Sequence, residues 1–292
     1  MKNPFRPEPT SYAGARALVT GGCSGLGLEL TRLLVADGAE VLVVDQHPEA
    51  PDGVLPEGVI YRQLDVRSDE QWDETCHWVE STWGVLDLLI NNAGVAAGGR
   101  IDVLSMDDWK WIIDINLLGV VRGCRTFVPL MKEAGSGHIV NTASLAGLVH
   151  APSMSSYNAV KAGVVAVSET LRHELAAWHI DVSVICPSFF RTNLAQSLQG
   201  KDVEMEATAV DLINKAPRSA EQVARTAYAG MRLRRFIILT DADGRIAYRG
   251  KRYLQPVYER AMIASGKRIA AGRPATPAGL ERLQHLAARR KK

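Results

Sequence analysis

Between residues 15 and 240 the chain alternates short β-rich apolar runs with longer helical stretches. This alternation restricts the possible folds more than any other feature of the sequence. The runs fall at residues 15–20 (ARALVT), 39–45 (AEVLVVD), 59–66, 86–90, 138–142, 181–186 and 236–240. They are mostly continuous rather than alternating apolar and polar, which is the pattern of parallel strands buried on both faces. Right-handed crossovers through the intervening helices then give a doubly wound, Rossmann-like α/β sheet of about seven strands. Helical spacing is clearest over residues 25–37, 69–83 and 155–178. No internal repeat or Pro/Gly/Ser linker interrupts this pattern, so residues 14–244 read as one catalytic domain. Residues 1–13 precede it, and a basic, partly helical extension of residues 245–292 follows. Within that extension residues 247–264 read as helix, with Pro256 expected to break or kink it. Residues 272–279 (GRPATPAG) read as a loop, and a short basic helix closes the chain.

Composition excludes several alternatives. Apolar residues are 47% and charged residues 23% of the 292, ordinary values for a globular chain and too apolar for general disorder. No apolar run nears the ~20 residues that span a bilayer. Residues 1–10 hold three prolines and no apolar core of a secretory signal. The four cysteines, Cys23, Cys76, Cys124 and Cys186, are scattered without a CxxC, and no histidine has metal-ligand spacing. The expectation is a cytoplasmic protein with reduced thiols and no metal. From Arg245 onward thirteen Lys/Arg face two acids, Glu259 and Glu281, a local net of +11. With +2 for the whole chain, residues 1–244 carry −9. The basic end reads as a solvated tail, or as a patch for an acidic partner, a membrane surface or an anionic substrate. It lacks the interleaved aromatics of nucleic-acid platforms, so no nucleic-acid partner is expected.

The first run ends in Thr20-Gly21-Gly22-Cys23-Ser24-Gly25-Leu26-Gly27 and passes directly into a helix. Glycines let the backbone turn tightly and approach a pyrophosphate, while the helix N-terminus offers free N–H groups. A glycine cluster alone is weak, since tight turns need glycine anyway; its place between first strand and first helix makes it informative. The second run ends at Asp45, followed by Gln46 and His47. A carboxylate there suits the two ribose hydroxyls of an adenosine and repels a 2′-phosphate. The loop holds no Lys or Arg, so NAD is favoured over NADP. Cys23 could be a thiol acidified by the helix end, or simply a small residue in a variable slot.

Ser144 follows the run at 138–142, and Tyr157 and Lys161 lie four apart on the helix expected at 155–178. That spacing puts both side chains on one face, one turn apart. An ammonium beside a phenol can stabilise the phenolate, making a proton acceptor of a group whose ordinary pKa is about 10. A lone Tyr-x-x-x-Lys is more simply a surface pair. Here it stands in order with the glycine loop, Asn91-Asn92-Ala93-Gly94, Asn116, Ser144 and the segment Pro187-Ser188-Phe189-Phe190-Arg191-Thr192.

Together these motifs resemble the short-chain dehydrogenase/reductase family, in the branch marked by T-G-x-x-x-G-x-G, over about residues 14–241. The resemblance implies cofactor contacts at Gly21, Cys23, Ser24, Gly25, Leu26, Gly27, Asp45 and Gln46. It places Asp65 and Val66 near the adenine, and Asn92, Ala93 and Gly94 along the ribose. Pro187, Phe190 and Thr192 are implied near the nicotinamide or pyrophosphate. Tyr157 would be the acid/base and Ser144 would hold the substrate oxygen. Lys161 would bind the nicotinamide ribose and lower the tyrosine's pKa, and Asn116 would hold a water of the proton relay. The usual Pro-Gly is here Pro187-Ser188, which puts the local loop geometry in question.

The expected activity is NAD-dependent interconversion of a secondary alcohol and a ketone. Leu145, Val149, Met154 and residues 189–198 would line an apolar pocket for a lipophilic substrate, whether steroid, fatty or terpenoid. The alternatives are an NADP-dependent 3-oxoacyl-type ketoreductase and, in another class, a non-catalytic dinucleotide sensor or scaffold. The resemblance implies a homodimer or homotetramer. Val160, Val164, Val167, Leu171 and Leu175 form an apolar stripe that would meet a partner subunit. Trp72, Trp78, Trp83, Trp109, Trp111 and Trp178 read as packing residues.

Overall fold

The computed structural model describes residues 9–193 and 202–272. Seven strands form one all-parallel sheet: β1 (Arg16–Thr20), β2 (Glu40–Asp45), β3 (Ile60–Gln63), β4 (Leu88–Asn91), β5 (Gly137–Thr142), β6 (Ile180–Cys186) and β7 (Ile237–Leu239). Their order is β3-β2-β1-β4-β5-β6-β7, a Rossmann-like doubly wound α/β fold. Leu18 of β1 registers with Leu42 on one side and Leu89 on the other. Ala17, Leu18 and Val19 are all fully buried, as a central strand covered on both faces requires.

Alternate strand residues feed two cores. Leu18, Leu42 and Val44 pack with Trp72, Val79, Phe127 and Val164, from α2 (Asp69–Thr82), α4 (Gly119–Ala134) and α5 (Ser155–Glu174). Ala17, Val19, Val41 and Val43 pack with Leu30, Leu34, Val223 and Ala227, from α1 (Gly25–Ala36) and α7 (Ala220–Arg232). Tyr12, just before β1, is buried in this second core, and its hydroxyl lies 2.8 Å from Nδ1 of His138.

Several helices begin on sequence-encoded caps. The Ser68 hydroxyl accepts from the Gln71 N–H at the head of α2. Ser105 and Asp108 form a capping box at α3 (Met106–Ile113), as Ser219 and Gln222 do at α7. A π-helical turn, Asp114–Leu118, joins α3 to α4. The expected helix 155–178 is instead α5 followed by a separate short turn, Ala176–Trp178, with His179 left-handed at φ 55°. After α6 (Val203–Asn214), α7 and β7 come α8 (Ala242–Tyr253) and α9 (Gln255–Ala270), so α8 is continuous through residue 244. The chain parts at Leu254, and Pro256 sits in the first turn of α9, where its missing N–H is no loss. The loop expected from residue 272, apart from Gly272, and the closing basic helix lie outside the described residues.

The apolar stripe of α5 corrects one expectation. Val164 and Leu175 are buried in the core against the sheet, where Leu171 also packs; Val160 is buried against Ile112 of α3, and Val167 is half-buried. Most of the stripe is thus covered within the subunit, by its own sheet and by α3. No helix among the described residues is long and apolar enough to cross a membrane.

Candidate active site

The strand order reverses between β1 and β4, and open α/β sheets bind ligands at such a switch point, beyond the carboxyl ends of the strands. Here the glycine loop follows β1, Asp45 ends β2, Asn92 follows β4, Ser144 follows β5 and Pro187 follows β6. Gly21 and Gly25 have φ of +63° and +53°, the left-handed region that glycine enters without strain. A Cβ on Gly27 would run into the Gly21 carbonyl oxygen and Asn92 Nδ2. The loop is tied to the strand beside it. Thr20 Oγ1 accepts from the Asn92 and Ala93 N–H groups, both at 2.9 Å, and Asn92 Nδ2 donates to the Thr20 and Gly21 carbonyls at 3.1 and 3.2 Å.

The N-terminus of α1 differs from the capped helices. Ser24 makes no side-chain cap bond, and no acid stands in the first turn. Its leading N–H groups and the positive end of the helix dipole therefore suit an anionic group such as a pyrophosphate. Thr192 Oγ1 lies 2.7 Å from where a Cβ on Gly25 would sit, which brings the segment after β6 onto the same loop. The Asp45 carboxylate accepts from the backbone N–H groups of Gln46 (2.9 Å) and Cys23 (3.4 Å). These residues fit a dinucleotide. Burial, and then the neighbouring Asp45, push the Cys23 thiol up to about 12, which removes the acidified-thiol reading. Asp65 is paired with Arg67, at 2.6 Å for the shortest contact, and this bond holds its carboxyl below the usual range.

At the other end, Lys161 is almost fully buried and its ammonium donates to the Thr142 carbonyl at 3.0 Å. Burial pulls its pKa down to about 8. Nζ lies 5.8 Å from the centroid of the Tyr157 ring. Burial raises the Tyr157 pKa and a hydrogen bond with Ser144 lowers it, leaving a net rise. Lys161 is not among the groups that shift it here. The lysine is turned onto the Thr142 carbonyl, and desolvation of the phenolate prevails. Ser144 Oγ also accepts from the Ala146 N–H at 3.1 Å. Asn116 lies in the π-helical turn, fully buried, and exchanges two 2.8 Å bonds with the backbone of Val95. A Cβ on Gly94 would fall 2.8 Å from Asn116 Oδ1 and 3.6 Å from Lys161 Nζ, so the glycine keeps these side chains close.

One cavity of about 1840 Å³ brings nearly all of these together. It exceeds the ~300–1,000 Å³ typical for one small ligand and has room for two. Every residue expected at the site lines it except Gly27 and Asn116, which support the lining from behind. Leu145, Val149, Met154 and Phe189 line it as expected, while residues 194–198 lie outside the described residues. Trp111 also lines it, so it is not solely a packing residue. Sequence reasoning missed Ala247, Met262, Ser265 and Ile269, from α8 and α9, and the contact that settles the Pro187-Ser188 question. Ser188 is not among the residues of positive φ, and its hydroxyl donates to buried Asp241 at 2.6 Å. Serine is therefore accommodated here without a left-handed backbone. No cluster of three or more His, Cys, Asp or Glu suited to a metal occurs among the described residues.

Comparison with known proteins agrees with this geometry. A 3-alpha-(or 20-beta)-hydroxysteroid dehydrogenase of Mycobacterium tuberculosis is 35% identical over 182 residues, 61% of this chain and 70% of that protein. A 3-oxoacyl-[acyl-carrier-protein] reductase of Thermotoga maritima is 32% identical over 205 residues, covering 68% of this chain and 83% of that protein. A short-chain dehydrogenase/reductase of Burkholderia phymatum, solved in complex with NAD, superposes with a TM-score of 0.78 at 28% identity, covering 91% of this chain and 98% of that one. The short chain dehydrogenase family model matches residues 15–202. The family binds NAD or NADP. The chain thus belongs to the short-chain dehydrogenase/reductase family and is an oxidoreductase acting between alcohol and ketone.

Proposed function

We propose that the protein interconverts a lipophilic secondary alcohol and its ketone with NAD(H), using Ser144, Tyr157, Lys161 and Asn116. The observation that carries this reading is the single cavity lined by the glycine loop and Asp45 at one end and by Ser144, Tyr157 and Lys161 at the other. When bound, the dinucleotide supplies the hydride acceptor or donor. Asp45 meets the adenosine ribose hydroxyls and disfavours a 2′-phosphate, while the uncapped end of α1 receives the pyrophosphate. Ser144 holds the substrate oxygen and stabilises charge developing on it. Tyr157, held protonated by burial, donates its proton to the ketone oxygen in reduction and takes it back in oxidation. Lys161 engages the nicotinamide ribose, and Asn116 holds the Val95 loop beside it and serves the relay of protons to solvent.

The apolar lining, from Leu145, Val149, Met154, Phe189, Met205 and Leu212, supports a lipophilic substrate. Reduction of a 3-oxoacyl thioester is the second reading, favoured by the similarity to the 3-oxoacyl-[acyl-carrier-protein] reductase, with Asp45 opposing its use of NADP. A homodimer or homotetramer is also proposed. Leu118, an exposed apolar residue on the π-helical turn that packs against α5, supports it. Incubating the pure protein with NAD and a panel of secondary alcohols tests the function. NADH absorbance should grow with apolar alcohols, and a flat trace with every alcohol, together with no NADH consumption on the matching ketones, would remove the reading.

A further inference from the structure

Along α9, Tyr258, Ala261, Met262, Ser265, Gly266, Arg268 and Ile269 are half-buried, while Val257, Arg260, Ile263, Ala264 and Lys267 are exposed. Arg268 apart, the first set recurs at i, i+3, i+4, i+7, i+8 and i+11, one stripe of a helix. Yet no residue of α9 is fully buried. A helix seated on a packed core buries its stripe completely. This one covers space: Met262, Ser265 and Ile269 line the same cavity that holds Ser144 and Tyr157.

The pair α8–α9 is also fastened to both segments that flank the reacting residues. Lys251 Nζ donates to the Leu148 carbonyl at 2.8 Å, and the Tyr258 hydroxyl accepts from the His150 N–H at 3.0 Å. A Cβ on Gly266 would lie 3.9 Å from Pro152. All three partners stand between Ser144 and Tyr157 in the chain. At the root of α8, Asp241 accepts from Ser188 and from the Gly244 N–H, both at 2.6 Å, linking it to the segment after β6.

From this we infer that α9 is a wall of the substrate site, and that Met262, Ser265 and Ile269 set the size of the alcohol or ketone admitted beside Tyr157. The inference rests on the reading of the cavity as an alcohol/ketone site. It assigns the first part of the basic extension a role in specificity. A side chain enlarged at Ser265 projects into the space a bulky substrate needs, whereas one shortened at Met262 opens it.

The test compares kcat/KM for cyclohexanol and for a hydroxysteroid in the wild type, Ser265→Trp and Met262→Ala, with NADH affinity measured alongside. Ser265→Trp should lower the steroid-to-cyclohexanol ratio at least tenfold, and Met262→Ala should raise it about threefold, with the Kd for NADH within twofold. A purely structural role would reduce both substrates together, and an unchanged ratio in both variants overturns the inference. Binding of the apolar dye 8-anilino-1-naphthalenesulfonate needs no chemistry and is read on the same proteins. At least fivefold weaker dye binding by Ser265→Trp, with no alcohol turned over by any form, keeps the wall and removes the functional reading. Turnover with an unchanged ratio removes the wall alone, whatever the dye reads, and absence of turnover together with unchanged dye binding removes both.

Discussion

Replacing Lys161 with Met should make the cofactor-free protein more stable at neutral pH, by an amount that shrinks as pH rises. Burial lowers the lysine pKa from 10.5 to about 8 in the folded state. Between those values the unfolded chain carries the proton and the folded one does not, so wild-type stability rises with pH across that window. At about 1.4 kcal/mol per pH unit, the charged ammonium burdens the folded state by on the order of 3 kcal/mol below pH 8. Methionine removes the charge at similar length but leaves the Thr142 carbonyl without its 3.0 Å donor, a loss of about 1–2 kcal/mol. The variant should therefore gain about 1–2 kcal/mol at pH 7, read from urea unfolding. By pH 9.5 that advantage should shrink by about 2 kcal/mol, because the wild-type lysine has by then shed its proton. An advantage that stays constant from pH 7 to 9.5, or a variant less stable at pH 7, refutes the reasoning. Turnover should be lost in the same variant. Lys161 would then be a residue held at the expense of stability for the sake of the site.

Three further outcomes follow from the cofactor end and the surface. Asp45→Ser combined with Gln46→Arg should reverse the cofactor preference, with the NAD-to-NADP ratio of kcat/KM falling at least about tenfold, or ~1.4 kcal/mol; a wild type using both equally would remove the role given to Asp45. Gly27→Ala should destabilise the fold by about 1–3 kcal/mol and weaken NADH binding, because its Cβ meets the Gly21 carbonyl oxygen, and unchanged melting and NADH titration would contradict that geometry. Light scattering at micromolar protein should show a dimer or tetramer; a single species at the 31.8 kDa of one chain would contradict the proposed assembly.

The parts of the fold and site that were legible in the sequence are those set by local chemistry. Continuous apolar runs such as residues 39–45 mark buried parallel strands, and β2 lies at Glu40–Asp45. The glycine loop was readable because φ above zero at Gly21 and Gly25 leaves little choice of residue. Tyr157 and Lys161 were readable because four residues on a helix fix their relative placement. What stayed hidden depends on contacts distant in sequence. The stripe Val160, Val164 and Leu175 has the same spacing whether it faces a partner or its own subunit, and only the packed structure shows it buried within the subunit. Ser188 looked like a loss of backbone freedom, but its partner Asp241 stands 53 residues away. The periodicity of Tyr258, Met262, Ser265 and Ile269 was present as a signal, obscured by the surrounding basic residues and by Pro256.

The most direct test of the catalytic assignment is Tyr157→Phe, which deletes one oxygen and leaves the ring in its place. General acid–base catalysis by one positioned group is worth roughly 10²–10⁴-fold. With the best alcohol or ketone found for the wild type, the variant should lose at least about 100-fold in kcat, while fluorescence titration with NADH should give a Kd within about twofold of wild type. A variant that binds NADH as the wild type does and turns over at a comparable rate would contradict the assignment of Tyr157 as the group that moves the proton.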